Sequence, residues 1–201
     1  MKALFFAGLL TLAVLPMCKP DAAKNTTATT GESPASPAAV QAQLTILRDS
    51  ADATWQRMTA SDDKTLGNLR ELLQDLSKYP GANQPQLTAL RGTRARIQQQ
   101  RYTRETMASS ALIDRYDTAQ DSLLKAVYAV AAPGGNAPSQ GVRDRVEAVQ
   151  AADANVVIYR SHYDKAAKAY NAYLQVHGEA LTSMGGQYAK LRPLPLFEIS
   201  Q

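Results

Sequence analysis

The sequence has few of the residues from which disulfides and metal sites are built. It contains one cysteine, Cys18, and two histidines in 201 residues. A single cysteine excludes a disulfide within the chain. A structural zinc site needs about four cysteine or histidine ligands at short spacing, which this composition does not provide. We therefore expect no metal and no cofactor.

Motifs of nucleotide-binding and hydrolytic enzymes are also missing. The chain has no glycine-rich phosphate loop, no nucleophile elbow and no His-Glu-x-x-His pattern. Its formal net charge of +4 comes from 22 Lys and Arg against 18 Asp and Glu. These charges are spread along the chain, which does not favour nucleic-acid binding. We expect neither an enzyme nor a nucleic-acid-binding protein.

The N-terminus is typical of a bacterial secretory signal. Lys2 precedes a mostly apolar run that ends before Cys18. The run is shorter than the ~20 residues that cross a bilayer as a helix, and Pro16 interrupts it. Leu15 stands three positions before Cys18, as in a lipobox, in which the cysteine thiol carries diacylglycerol. We predict a signal peptide over 1–17, with a plain secretory signal and an uncleaved anchor as alternatives.

Lipidation of Cys18 would place the protein in the cell envelope, outside the cytoplasm, because several acyl chains hold a protein firmly on a membrane. Residues 18–36 contain no large apolar side chain beyond the cysteine. Such a stretch cannot bury enough surface to offset its chain entropy. We interpret it as a flexible tether that precedes a folded domain over 37–201.

Apolar residues then recur at spacings of four and three, which predicts long amphipathic helices. The predicted helices cover about 38–78, 85–131 and 139–176. The second is either continuous or broken at Ser109-Ser110. A helix over 38–78 would be ~60 Å long at 1.5 Å per residue, too long for a compact globule. Since no strand-like alternation occurs, the fold class is all-α: an elongated antiparallel bundle of three to four long helices, of coiled-coil type, with an irregular C-terminal tail.

Glycine and proline mark the ends of these helices. Gly178 is predicted to close the third helix as its C′ residue, and Gly185-Gly186 to form a flexible joint. The last segment, 191–199, is apolar, but its prolines exclude a helix. We expect this segment to dock back on the bundle.

The third helix carries a pattern that resembles the signature of the LemA family, an arginine followed by two Tyr-Asn pairs seven residues apart. The matching residues are Arg160, Tyr163, Tyr170 and Asn171, and Asp164 stands where the family has its first Asn. Three further segments are similar to family features: Trp55 on the first long helix, Leu66-Gly67-Asn68-Leu69, and the ending Pro195-Leu196-Phe197-Glu198. The resemblance covers roughly residues 45–199. It implies an antiparallel helical bundle outside a membrane, with an N-terminal anchor and no established biochemical activity.

Two interpretations apply to the polar residues of this helix. Tyr163, Tyr170 and Asn171 share one face, which is either a recognition stripe or core packing with hydroxyls at the core edge. We favour core packing, with Arg160 paired to a carboxylate or capping a carbonyl. The remaining titratable candidates are expected at the solvated surface: His162 and His177, and the acidic residues Asp62, Asp63, Glu71 and Asp75.

The sequence thus favours a membrane-anchored envelope protein whose bundle acts as an interaction or scaffold module for an unknown protein partner. Its oligomeric state stays open. One alternative is an anion- or membrane-surface-binding module that uses an arginine-rich helix over 91–104. The other is an enzyme with a cleft that the sequence does not reveal, placed near Arg160 or the tyrosine stripe.

Overall fold

The computed structural model describes residues 36–135, 137 and 139–197. The predicted signal peptide, Cys18 and the tether up to residue 35 lie outside these residues. All regular structure in the described part is helical. It consists of α1 (Pro37–Leu76), α2 (Gln84–Gln99), α3 (Ser110–Ala131), α4 (Gln140–Ala154), α5 (Val156–Val176) and α6 (Gly178–Met184), with 3₁₀ turns at Pro133–Gly135 and Tyr188–Lys190. The prediction of an all-α fold is confirmed for this part of the chain.

Helix α1 forms as the sequence predicts. The Ser36 side chain accepts a hydrogen bond from the Ala39 amide (3.3 Å), and Pro37 occupies the first helical position, where no amide donor is needed. The helix continues without a break through the polar stretch 61–64. It ends at Leu76, and Gly81 takes a positive φ of 79° in the turn that follows.

The second and third predicted helices are each divided. The chain leaves the helical conformation between α2 and α3, so the predicted arginine-rich helix is helical only up to Gln99. The predicted break at Ser109-Ser110 is confirmed, because α3 begins at Ser110 with Ser109 as its N-cap. The third helix is interrupted at Asn155, whose side-chain amide donates to the Ala151 carbonyl (2.7 Å). Such local bonds from asparagine offer the backbone an alternative to the helical ladder.

Helix α5 ends at Val176 with His177 as its C-cap, so Gly178 stands at the predicted C′ position, but it also begins the short helix α6. A C′ glycine takes a positive φ, but among the described glycines positive values occur only at Gly81, Gly134, Gly185 and Gly186. Gly185 and Gly186 form a turn at the predicted position, and residues 191–197 after it pack against the bundle as expected.

Helix α1 lies at the centre of the fold and contacts each of the other α-helices of the described part, α5 most extensively. Its C-terminal half forms a leucine core with α2, α3 and α4. The buried leucines are Leu66, Leu69, Leu72, Leu73 and Leu76. Each fully buried leucine contributes roughly 1.5–3 kcal/mol of transfer free energy. The hydrophobic effect thus fixes this half of the bundle.

Two smaller clusters follow α1 towards its N-terminus. The middle one contains Met107, Tyr163 and Ala167, with Trp55 and Phe197 packed against them. The last one joins the start of α1 to the end of α5 and to α6, and its buried members are Val40, Leu44, Tyr170 and Leu181. No helix in the described ranges combines the length and apolar character required to cross a membrane.

Candidate functional site

The polar face of α5 is organised around Arg160. Its guanidinium makes two parallel hydrogen bonds to the Asp117 carboxylate, Nη1 to Oδ2 and Nη2 to Oδ1, both 2.7 Å. Nη2 also donates to the Tyr102 hydroxyl (3.1 Å). Burial by itself would lower the pKa of Arg160, but the hydrogen bonds and charge of Asp117 outweigh it and the pKa lies above its ordinary value. The expected carboxylate partner is therefore present, and it comes from α3.

Aromatic rings enclose this ion pair. The Arg160 guanidinium carbon lies 5.0 Å from the ring centroid of Phe197 and 5.9 Å from that of Tyr102, within the range of cation–π attraction. The Nε atom of Arg160 is buried and has no hydrogen-bond partner in the described part of the protein. Arginine pairing and the contact with the aromatic ring together hold Phe197 against α3 and α5.

The next signature residues bind the backbone of the C-terminal tail, defined here as residues 191–197. The Tyr163 hydroxyl donates to the Pro195 carbonyl (3.0 Å). The Asn171 amide bonds Leu194 in both directions: Nδ2 donates to the Leu194 carbonyl (2.8 Å), and Oδ1 accepts from its amide (2.7 Å). These side chains therefore recognise an extended backbone, and do not form a stripe open to solvent.

Two more residues of α5 complete this arrangement. The Asp164 carboxylate accepts a hydrogen bond from the Phe197 amide (2.9 Å). Tyr170 is buried in the cluster at the end of α5, as core packing predicts. Burial also raises the pKa of Tyr163 to about 12, so its hydroxyl stays protonated and able to donate at neutral pH.

Trp55, the single tryptophan of the chain, packs at the centre of this region. Its ring stacks on Phe197 with 6.5 Å between centroids, and it meets Tyr163 edge-on at 5.3 Å. The Arg104 guanidinium carbon lies 5.3 Å from the tryptophan centroid, and Arg104 also pairs with Asp52. The indole thus reports directly on whether the tail is docked.

An open cleft of about 770 Å³ lies beside this region, between α3, α5 and the end of the tail. We call it the α3–α5 cleft. Its charged lining is mixed: Asp114, Asp117, Arg160, Asp164, Lys165 and Lys168. Its apolar lining consists of Ile113, Val157 and Phe197, and its hydroxyl groups come from Ser110 and Ser161. Mixed charges beside apolar side chains suit recognition of a polypeptide better than of a simple anion.

The cleft lies where the enzyme alternative places its pocket. It has serine hydroxyls, but no histidine is among its lining residues in the described part. His162 is exposed on α5. The His177 ring packs at a tilt against Tyr173 near the other end of that helix, with 4.2 Å between the ring centroids. Fifteen residues of helix separate the two histidines by about 22 Å. Within the described ranges, no group of three or more His, Cys, Asp or Glu is placed to hold a metal ion.

The arginines between 91 and 104 are largely engaged inside the protein. The side chains of Arg91 and Arg94 donate to backbone carbonyls of α1, at Leu73 (3.0 Å) and Leu66 (2.6 Å). Burial lowers the pKa of Arg94, with a smaller contribution from Arg70. Arg96 bonds only its neighbour Thr93, on the exposed side of α2. This arrangement weighs against an anion-binding helix.

Asp62 is the clearest departure from the predicted solvated acidic face. Its side chain is only 13% exposed and accepts hydrogen bonds from the Tyr116 hydroxyl (2.6 Å), from Arg101 (3.2 Å) and from Gln120 (3.4 Å). Burial, followed by the charge of Asp62, raises the pKa of Tyr116. Asp62 therefore connects α1, α3 and the segment between α2 and α3.

The other acidic candidates lie nearer the surface. Asp63 is 52% exposed and pairs with Arg101 (2.7 Å). Glu71 and Asp75 both bind the guanidinium of Arg145 on α4, and the hydrogen bond from Lys78 is the largest influence that lowers the pKa of Asp75. They form half-exposed ion pairs that join α1 to α4.

Comparison with known proteins identifies no relative of this chain. No family model matches the sequence, and neither the curated proteins nor the solved structures contain a significant match.

Proposed function

We propose that the chain is a LemA-like bacterial envelope protein, anchored to a membrane through lipidated Cys18, whose helical bundle acts as an interaction or scaffold module. One observation carries this proposal. The side chains of Tyr163 and Asn171 on α5 bind the tail. The same helix lines an open cleft with Val157, whose side chain is 74% exposed. Val157 lines the cleft together with Ile113 and Phe197, and a contiguous apolar patch rimmed by charged residues is typical of protein interaction sites.

We further infer that the helices form an elongated antiparallel bundle. Three contacts along α1 support this arrangement. The Val40 carbonyl accepts from the Tyr173 hydroxyl, Trp55 meets Tyr163, and Glu71 pairs with Arg145. Residue numbers rise along α1 while they fall along α5 and then α4. A scaffold role fits this shape, because a helix of 40 residues presents about 60 Å of surface.

The interaction role is tested by photo-crosslinking in intact cells from two matched positions on α5. A photoreactive amino acid replaces Val157 in the cleft in one variant, and in the other it replaces Val176, which is 77% exposed and does not line the cleft. We expect a discrete adduct from position 157 and none of the same mass from position 176. Equal adducts from both positions, or none from position 157, would refute a cleft-specific partner.

The anchor has its own test, which does not depend on the partner. Metabolic labelling with radioactive palmitate is expected to mark the wild-type protein and to disappear in Cys18→Ser. Label that persists in this variant would exclude Cys18 as the acceptor. A wild-type protein without label would exclude lipidation and leave the two other interpretations of the N-terminus.

A further inference from the structure

The tail is held in the way in which a protein groove holds an extended peptide. Residues 191–197 have no regular secondary structure, and two prolines remove backbone donors from the segment. Four hydrogen bonds join it to α5, and each links a side chain of the helix to the backbone of the tail. We call the surface formed by Tyr163, Asp164 and Asn171 the α5 groove.

Apolar side chains of the tail add anchors to this backbone recognition. Leu194, Leu196 and Phe197 pack against the cluster of Met107, Tyr163 and Ala167, and Leu194 also reaches the cluster at the end of α5. Backbone bonds give affinity to an extended segment, and pockets for its side chains give specificity. The α5 groove thus recognises a short apolar sequence that contains prolines.

The tail is joined to the rest of the bundle through a hinge of two glycines. Gly185 and Gly186 have φ values of 70° and 56°, a conformation that other residues adopt at a cost. A Cβ atom built at either position would meet no atom within 4 Å, so backbone conformation and not packing calls for glycine here. The direction in which the chain leaves α6 therefore depends on these two residues.

We propose that the α5 groove also accepts the tail of a second copy of this chain, so that two molecules exchange tails and form a dimer. The contacts between tail and groove are the same whether the tail belongs to the same molecule or to its partner. Exchange of an identical element is a low-cost route to a dimer, and hinge segments govern it. The inference goes beyond the proposed function, because it concerns a second surface, the α5 groove, whose partner is a second copy of the chain.

Competition with the molecule's own tail determines when exchange is seen. A tail attached by a short linker faces its own groove at an effective concentration of about millimolar. The wild-type protein in dilute solution is therefore expected to be monomeric. Dimers are expected where the protein is concentrated, or where its own tail cannot reach the groove.

Two complementary variants of the full chain test the proposal in detergent solution, with reductant present to keep Cys18 from crosslinking. The groove variant, Tyr163→Phe with Asn171→Ala, loses three of the four hydrogen bonds to the tail and keeps an intact tail. The tail variant, Leu194→Ala with Phe197→Ala, keeps an intact groove. In each variant by itself, the tail is expected to leave the groove and expose Trp55. The fluorescence emission of Trp55 then shifts to longer wavelength, and acrylamide quenches it.

Mixing the two variants separates exchange from simple docking. If tails exchange, the intact tail of one variant fills the intact groove of the other. Acrylamide quenching of the mixture then falls below the average of its components, and a species of twice the monomer mass appears on sedimentation. A mixture that gives the exact average and stays monomeric overturns the proposal, while adducts from Val157 in cells would still support the proposed function.

A third variant keeps the test decisive if the two substituted proteins lose helical circular dichroism. Deleting Gly185 and Gly186 shortens the connection by up to about 7 Å, so that the tail no longer reaches its own groove. Shortened hinges are known to force exchange between copies. We expect this deletion to convert the protein to a dimer with a protected Trp55. A monomer with an exposed Trp55 would refute exchange.

Discussion

The two-way hydrogen bond between Asn171 and Leu194 makes a quantitative prediction for the substitution Asn171→Ala. The substitution removes a donor and an acceptor at 2.8 and 2.7 Å from a partly buried site. Each such bond contributes about 0.5–1.5 kcal/mol net, so the docked tail loses about 1–3 kcal/mol. Since 1.4 kcal/mol corresponds to a factor of ten, the open form of the tail becomes about 5- to 150-fold more populated.

Hydrogen exchange measured by mass spectrometry reads this population directly. The informative amide is that of Phe197, because it bonds Asp164 and is untouched by the substitution. If the tail opens as one unit, exchange at Phe197 accelerates by this factor, and exchange at Leu194 accelerates at least as much because its amide also loses its own acceptor. Asn171→Asp keeps the acceptor and loses the donor, so an intermediate effect is expected. The control His162→Ala changes an exposed residue of the same helix and is expected to leave both amides unchanged. Unaltered exchange at Phe197 in Asn171→Ala would refute the idea that this residue fastens the tail.

Three further predictions concern stability and are checked by urea unfolding or thermal melts. Asp62→Ala leaves the Tyr116 hydroxyl and the Arg101 guanidinium without their buried acceptor and is expected to lower the free energy of unfolding by about 2–4 kcal/mol. Asp63→Ala removes an exposed ion pair to the same arginine and is expected to cost less than about 1 kcal/mol. Equal losses would refute the buried network. Gly67→Ala lies inside α1 with no atom near the new Cβ and is expected to stabilise the protein by about 0.5–1 kcal/mol. Gly81→Ala lies at a φ of 79° and is expected to destabilise it. A change of the same sign in both variants would contradict the role given to backbone conformation. Burial, followed by two neighbouring aspartates, raises the pKa of Asp153 in the folded protein, so its charged form disfavours folding at neutral pH. This penalty fades as the pH falls through the raised pKa and is gone below the unfolded value of about 4. Asp153→Asn is thus expected to raise the melting temperature at pH 7 and to lose this advantage near pH 3, and an equal gain at both would refute the assignment.

The helices were predictable because their cause is local. Burial on one side of a helix requires apolar residues at spacings of four and three, and this pattern is recognisable in α1, α3 and α5 without knowledge of their neighbours. The breaks within the second and third predicted helices were harder to predict. The segment between α2 and α3 contains Met107, which is buried by tertiary contacts and continues the apolar pattern although the backbone has left the helix. At Gly178, residue type correctly suggested the end of α5, but it did not show that the chain continues into α6 without a left-handed glycine.

The site was harder to predict because its partners are distant in sequence. Arg160 was expected to pair with a carboxylate, but 43 residues separate it from Asp117, and nothing in the local pattern of α3 identifies that aspartate. The docking of the tail followed from its composition, since an apolar segment with prolines cannot form a helix and yet needs burial. The side chains that hold the tail could not be predicted. Asn171 and Asp164 bind backbone atoms, and the sequence does not show which backbone atoms a side chain will bind.

The basic stretch shows why charge counting alone misjudges a surface. A run of arginines between 91 and 104 suggested an anion-binding face, yet four of its five side chains reach α1. Two of them, Arg91 and Arg94, end on backbone carbonyls, and two, Arg101 and Arg104, pair with aspartates of that helix. An anion bound there would compete with contacts that hold α2 and the following segment in place, so binding would cost stability. Arg96 stays at the surface, and a single exposed arginine is worth too little to retain an anion in physiological salt. The positive charge of this region is therefore best understood as part of the packing of the bundle.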